Sequence, residues 1–247
     1  MRRIAGIALG LGLTLAAWGQ ALAADVGVAV AANFTAVAEE LAMAFKAKTG
    51  DSLLLSFGAT GALYTQITQG APFEIFLAAD SKRPAQAVTD GFGVEGTVFT
   101  YAIGKVVLYS PTLDVGSGDA VLKTNAFKHI AIADPATAPY GAAAVEAMTA
   151  LGVYDMITPK LVTGENTSQA LQFVDSGNAE LGFVALSQVI GKPGFQWQVP
   201  ADLYKPIFQD AVLLKTGKAN GAAMAFFDYL QSQDAIAIIE KYGYTVE

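Results

Sequence analysis

An α/β fold with largely parallel sheets is what this sequence predicts, and three observations carry the prediction. Short apolar runs rich in Val, Ile, Leu and Ala alternate along the chain with amphipathic segments of helical spacing. The runs are apolar on successive residues, as strands covered on both faces are. At several joints a loop of small residues brings a polar side chain to a helix start.

The first residues stand apart from the fold. Met1-Arg2-Arg3 is basic, Ile4 to Trp18 is apolar and uncharged, and Ala21-Leu22-Ala23 offers a small-x-small cleavage site. This is the pattern of a secretory signal peptide over residues 1–24, cleaved near Ala23 or Ala24. The apolar run is short for a membrane span, which needs about 20 residues. The 247-residue chain has no Cys, which excludes disulfides, thiolate metal sites, thiol catalysis and lipid attachment at a cysteine. An exported domain of this kind depends on its core alone, and about 220 residues are enough to build one.

The mature chain opens with the apolar run Val26 to Ala32, a buried parallel strand. Asn33 follows as an expected N-cap, because Phe34, Val37, Ala38, Leu41 and Phe45 then fall on one helical face. Leu53 to Leu55 is the next strand. It leads through Gly58-Ala59-Thr60-Gly61 into a helix bearing Leu63 and Ile67, with Thr60 the expected cap. Phe73 to Ala79 reads as a strand and Asp80 to Gly91 as a helix. Apolar runs within Thr97 to Ser110 precede the Gly/Asp/Ser-rich stretch Pro111 to Asp119, whose composition marks an expected passage between domains. His129 to Ala133 is a strand, and the loop after it delivers Tyr140 to a helix carrying Ala144, Val145, Met148 and Leu151. Lys160 to Thr163 is strand-like, and Gly164-Glu165-Asn166-Thr167 caps the helix with Ala170, Leu171 and Val174. Leu181 to Leu186 is a strand. The pattern breaks from Gln196 to Pro206, an expected return passage, before the strand Phe208 to Leu214 and closing helices over 219–231 and 234–242.

Little of this inventory supports catalysis. The one histidine, His129, stands at a strand start and reads as an ordinary strand-end residue. Gly91-Phe92-Gly93-Val94-Glu95-Gly96 spells a dinucleotide fingerprint, but it follows a helix and enters a strand, the wrong context for that role. A Gly-x-Ser-x-Gly elbow and a P-loop are both missing. The net charge is −7, and −9 once Arg2 and Arg3 are removed, which disfavours nucleic acid as a partner. What remains is a set of neutral donors at helix starts: Asn33, Thr60, Tyr140 and Thr167. Two come from each half of the chain, as expected of a cleft between lobes at the carboxyl ends of strands. Helix starts hold anions through free N–H groups and dipoles, without help from Lys or Arg. A site of donors alone suits a dianion that carries no proton, provided Asp134 and Glu165 turn away.

Ala31-Ala32-Asn33-Phe34-Thr35, Ser56 to Gly61, Gly70 to Phe73 with Ala78-Ala79-Asp80, Asp134-Pro135 through Pro139-Tyr140-Gly141, and the closing Lys241-Tyr242-Gly243-Tyr244 together resemble the periplasmic molybdate-binding proteins of ABC importers. The resemblance covers essentially the whole mature chain. It implies a two-lobed, class II periplasmic-binding-protein fold, each lobe a mostly parallel sheet flanked by helices, with lobe 1 over 25–104 and 206–247 and lobe 2 over 105–205. The ligand would be molybdate or tungstate, the metal bound only as its oxyanion and no other cofactor present. Contacts would fall on Asn33, Thr60, Tyr140 and Thr167, with backbone donors at Ala32 and Gly61. Ala185 stands where some relatives carry a tyrosine. The implied protein is a monomeric periplasmic receptor serving a membrane permease and its ATPase, and no enzyme. The competing readings are a receptor for sulfate or another tetrahedral oxyanion, and a secreted hydrolase or transferase on a related fold.

Overall fold

The computed structural model describes residues 24–124 and 126–246. The expected export signal, Ala24 apart, lies outside them. The strands are β1 (Asp25–Ala31), β2 (Ser52–Gly58), β3 (Ile75–Leu77), β4 (Phe99–Gly104), β5 (Val106–Ser110), β6 (Ile130–Ala133), β7 (Leu161–Gly164), β8 (Leu181–Ala185), β9 (Phe195–Gln198) and β10 (Ile207–Leu213). The helices are α1 (Thr35–Thr49), α2 (Thr60–Thr68), α3 (Lys82–Thr89), α4 (Asp119–Leu122), α5 (Pro139–Ala150), α6 (Tyr154–Ile157), α7 (Thr167–Asp175), α8 (Leu186–Val189), α9 (Gly221–Tyr229) and α10 (Gln233–Lys241).

Two five-stranded sheets divide the strands, in the orders β2-β1-β3-β10-β4 and β7-β6-β8-β5-β9. The orders match, β1 taking the place of β6, β2 of β7 and β3 of β8. In each sheet four strands run one way and one runs against its neighbours, β10 in the first and β5 in the second. The exceptions have a common cause. Each is the strand the chain builds just after leaving the other lobe, so it enters from the side where the parallel strands end and must run away from it.

The crossing points are Lys105, between β4 and β5, and the segment before β10. Pro111 to Asp119, read from composition as the first passage, instead lies inside the second lobe, after β5. Its turns connect β5 to α4. The expected break at 196–206 overlaps β9, an edge strand paired with β5. Its half-exposed, aromatic-and-glutamine sequence hides a strand from a search for apolar runs.

Both faces of each sheet are covered, as parallel strands require. In β1, Val26, Val28 and Val30 pack with Leu41, Phe45 and Phe226 on one side. Ala29 faces Leu63, Ile67 and Phe76 on the other. The second lobe repeats the scheme with Val106, Leu108, Ile130 and Ile132 against Ala144, Ala147 and Met148, and with Val107 and Ala131 against Ala170 and Val174. Burying one such large apolar side chain contributes about 1.5–3 kcal/mol. Gly141 lets α5 start hard against β6, since a Cβ there would sit 2.1 Å from Ala133 O. That close approach brings the first turn of α5 to the end of the strand, where the lobes meet.

Candidate functional site

The ends of the parallel strands from both sheets converge on one small cavity between the lobes. The first lobe contributes Ala31, Ala32, Asn33, Gly58, Ala59, Thr60 and Ala79, and the second contributes Ala138, Pro139, Tyr140, Asn166 and Thr167. No charged side chain lines it among the described residues. The starts of α2, α5 and α7 all reach it, so their partial positive ends share one space.

The lobes are closed on one another. Gly61 N donates to Thr137 O at 2.9 Å, Arg83 Nη2 to Ala136 O at 3.2 Å and Ser168 Oγ to Ala32 O at 3.2 Å. Gly61 was expected to offer its N–H to the anion. Here that N–H is engaged with the opposite lobe instead. Ala32 lines the cavity, with its carbonyl turned to Thr35 and Ser168.

The two threonines face the cavity, and neither is a cap. Ala59 is the N-cap of α2 and Asn166 that of α7, where Asn166 Oδ1 accepts from Gln169 N at 3.1 Å. Thr60 and Thr167 each occupy the first helical position. That frees their hydroxyls, because a cap side chain folds back on its own helix. Thr60 is 1% exposed and its Oγ1 accepts the Ala79 N–H at 3.0 Å, which leaves its hydrogen to donate. Thr167 is 4% exposed, and its Oγ1 is buried with no hydrogen-bond partner among the described residues. An unpaired buried hydroxyl costs about 1–3 kcal/mol, a strong sign of a site built for a bound group.

Asn33 and Tyr140 line the cavity, but the Asn33 Nδ2 and the Tyr140 hydroxyl are bound to partners behind it. Asn33 was read as an N-cap, yet it lies in a 3-10 turn over Ala32–Phe34. Its Nδ2 donates to Gln209 Oε1 at 2.8 Å and to Tyr244 Oη at 2.9 Å. The Tyr140 hydroxyl accepts from Gln209 Nε2 at 3.4 Å, in space that only a glycine at 104 leaves open, since a Cβ there would lie 2.0 Å from it. Burial, first, and then the neighbouring hydroxyl of Tyr244 push the Tyr140 pKa well above the ordinary tyrosine value. Burial likewise raises Tyr101 and Tyr244, so all three remain neutral phenols. Sequence reasoning missed Gln209 and Tyr244 as members of this cluster. Gln209 stands inside an apolar strand, and a buried Gln there is itself a signal of a polar partner.

Asp134 and Glu165 do turn away. The Asp134 carboxylate accepts from Ala136 N and Thr137 Oγ1 within its own turn, and Glu165 is exposed. Ala185 ends β8 with its N–H bound to Gln188 Oε1. His129 is exposed at the start of β6, and Gly91 to Gly96 forms turns between α3 and β4. A larger open groove shares Ala79, Ala138 and Pro139 with the cavity. Four of its charges pair, Asp80 with Arg83 and Glu146 with Lys205, and Lys82 lines it as well.

Two lobes closing on a small, donor-lined cavity define a binding protein for a small solute. The family model for bacterial extracellular solute-binding proteins matches residues 26–245. The chain is 56% identical to the molybdate-binding protein ModA of Rhodobacter capsulatus, over 98% of this chain and 94% of that one. It is 53% identical to the molybdate-binding protein ModA of Azotobacter vinelandii, over 98% and 96%. Its fold is similar to the solved periplasmic molybdate-binding protein of Azotobacter vinelandii, with a TM-score of 0.87 at 40% identity over 90% of this chain and 99% of that one. The chain belongs to the bacterial extracellular solute-binding proteins and, within them, to the family of these molybdate-binding proteins.

Proposed function

We propose that the protein is a periplasmic receptor that captures molybdate or tungstate between its lobes and delivers it to the permease and ATPase of an ABC importer. The carrying observation is the Thr167 hydroxyl, buried without a partner in a closed interlobe cavity. An oxyanion oxygen is the acceptor it lacks. Thr60 supplies a second hydroxyl from the other lobe, and the starts of α2, α5 and α7 favour negative charge there. Asn33, Tyr140 and Ala32 shape the wall, the first two through the buried hydrogen bonds behind it.

The cavity also carries a selectivity rule. Phosphate near neutral pH usually keeps a proton and needs an acceptor, and no carboxylate lines this wall among the described residues. Molybdate and tungstate carry no proton and need donors alone. A ligand that completes bonds to both lobes binds the closed form more tightly and so drives closure. The protein acts as a monomer and performs no chemistry on its ligand.

Thermal unfolding with molybdate, tungstate, sulfate and phosphate tests this reading. At about 100 times Kd a ligand adds ~2.7 kcal/mol, which raises the Tm of a chain this size by about 5–10 °C. Molybdate and tungstate are expected to do so at micromolar levels and phosphate is not. A larger shift with sulfate would transfer the assignment to a sulfate receptor, and no shift with any of them would end it.

A further inference from the structure

The closing Lys241-Tyr242-Gly243-Tyr244 lines no part of the cavity, yet its last residue reaches the centre of the interlobe contact. Tyr244 is buried, with its ring edge-on to Phe34 at 5.3 Å between centroids. Its hydroxyl accepts from Asn33 Nδ2 at 2.9 Å and lies 3.0 Å from Asn33 O and 2.9 Å from Ser187 Oγ. Ser187 Oγ in turn donates to Asn33 O at 2.8 Å. Asn33 and Tyr244 belong to the first lobe's sheet and its covering segments, whereas Ser187 sits on α8 in the second. The backbone of this segment is anchored beside the crossover, where Ile103 and Thr245 exchange hydrogen bonds of 2.8 and 3.2 Å. Gly243, at φ +82, brings the turn against α8, since a Cβ there would sit 2.8 Å from Leu186.

We infer that Tyr244 is a positioning residue for the anion site: it pins the Ala32–Phe34 turn, part of the cavity wall, to Ser187 across the lobes and thereby holds the closed arrangement. This rests on the proposed capture by closure. The Asn33 side-chain Nδ2 and its backbone carbonyl both meet Tyr244, so losing the phenol hydroxyl leaves the amide only Gln209 and the carbonyl only Ser187, which loosens the turn and the interlobe contact together. The ligand would then leave faster, while encounter with the open form would be little changed.

The test compares Tyr244→Phe, Ser187→Ala and the double variant in the full mature chain, by molybdate and tungstate binding and stopped-flow release. Tyr244→Phe is expected to speed release about five- to tenfold with association within about twofold. The double variant is expected to be no worse than the worse single one, because both remove one linked contact. The chain has no cysteine, so Lys46→Cys with Asn178→Cys gives one clean spin-label pair across the lobes. Distances by double electron–electron resonance should show a smaller closed population in ligand-free Tyr244→Phe. A merely structural role would lower Tm and leave the release rate and the distances unchanged, and that result overturns the inference. If Tyr244→Phe does not fold, Ser187→Ala carries the same readouts. If the wild type binds neither oxyanion, the proposed function fails, and the ligand-free distances still decide the role of Tyr244.

Discussion

Thr60 and Thr167 hold the same place in two matched lobes. Each opens a nine-residue helix after the edge strand of a parallel trio, β2 in one sheet and β7 in the other. Asn33 and Tyr140 are matched in the same way, each following the central strand of that trio, β1 or β6. The edge-strand pair turns its hydroxyls into the cavity. The central pair sends its polar groups behind the wall, into contacts with Gln209 and Tyr244. One arrangement repeated in both lobes thus separates the hydroxyls that face the cavity from the frame behind them. Within the threonine pair the symmetry fails at one bond. Thr60 accepts the Ala79 N–H at the end of β3, whereas at the end of β8 the N–H groups of Ala185 and Leu186 go to Gln188 Oε1 and Lys105 O. Thr167 is left without a hydrogen-bond partner among the described residues.

Thr167→Val should therefore give the largest and cleanest effect. Affinity for molybdate is expected to fall about 10- to 100-fold by calorimetry, as for a hydrogen bond to a charged group, while the ligand-free protein unfolds at the same or a higher temperature because an unpaired buried hydroxyl is gone. A lower ligand-free Tm would show that Thr167 has a structural partner. Thr60→Val should cost comparable affinity and also destabilise the ligand-free protein by about 1–3 kcal/mol, since Ala79 N–H loses its acceptor. Equal ligand-free stabilities for the two variants would erase the contrast between the lobes. Tyr140→Phe should weaken binding by about fivefold or less, and a loss as large as that of Thr167→Val would move its hydroxyl from the frame to the ligand.

The smallest effect concerns pH. The buried phenols of Tyr101, Tyr140 and Tyr244 have raised pKa values, so the folded protein keeps protons that the unfolded chain releases above about pH 10. Their contribution to stability is complete below that value and declines as pH rises through it. Affinity measured from about pH 6 to 9 should stay level. A step in that window would reveal a titrating group at the cavity.

Much of the fold was legible in the chain. The run Val26 to Ala32 and its counterpart His129 to Ala133 announced parallel strands because both faces of such a strand are apolar. Composition placed the first crossing after Thr97 to Ser110, where the family resemblance put it inside that stretch, at 104/105. The stretch contains β4 and β5, which belong to different sheets, and apolar periodicity does not record which partner a strand finds. Of the candidate donors, all four do line the cavity, but the division among them was hidden. Asn33 looked like a cap because asparagine often is one, and its actual partners, Gln209 and Tyr244, lie 176 and 211 residues away in sequence.

By itself, then, the sequence determined the alternation of strand and helix and the small-residue loops that bring polar side chains to helix starts, together with the absence of cysteine chemistry. These are local properties, set by the spacing of apolar residues and by which residues tolerate a tight turn. Tertiary structure alone decided which hydroxyls stay unpaired. Whether Thr167 has a partner depends on where Gln188 and Lys105 send their acceptors, and whether Asn33 is free depends on the last turn of the chain. A hydrogen bond is won by the nearest competing group in space, and that competition begins only after the lobes have folded and closed.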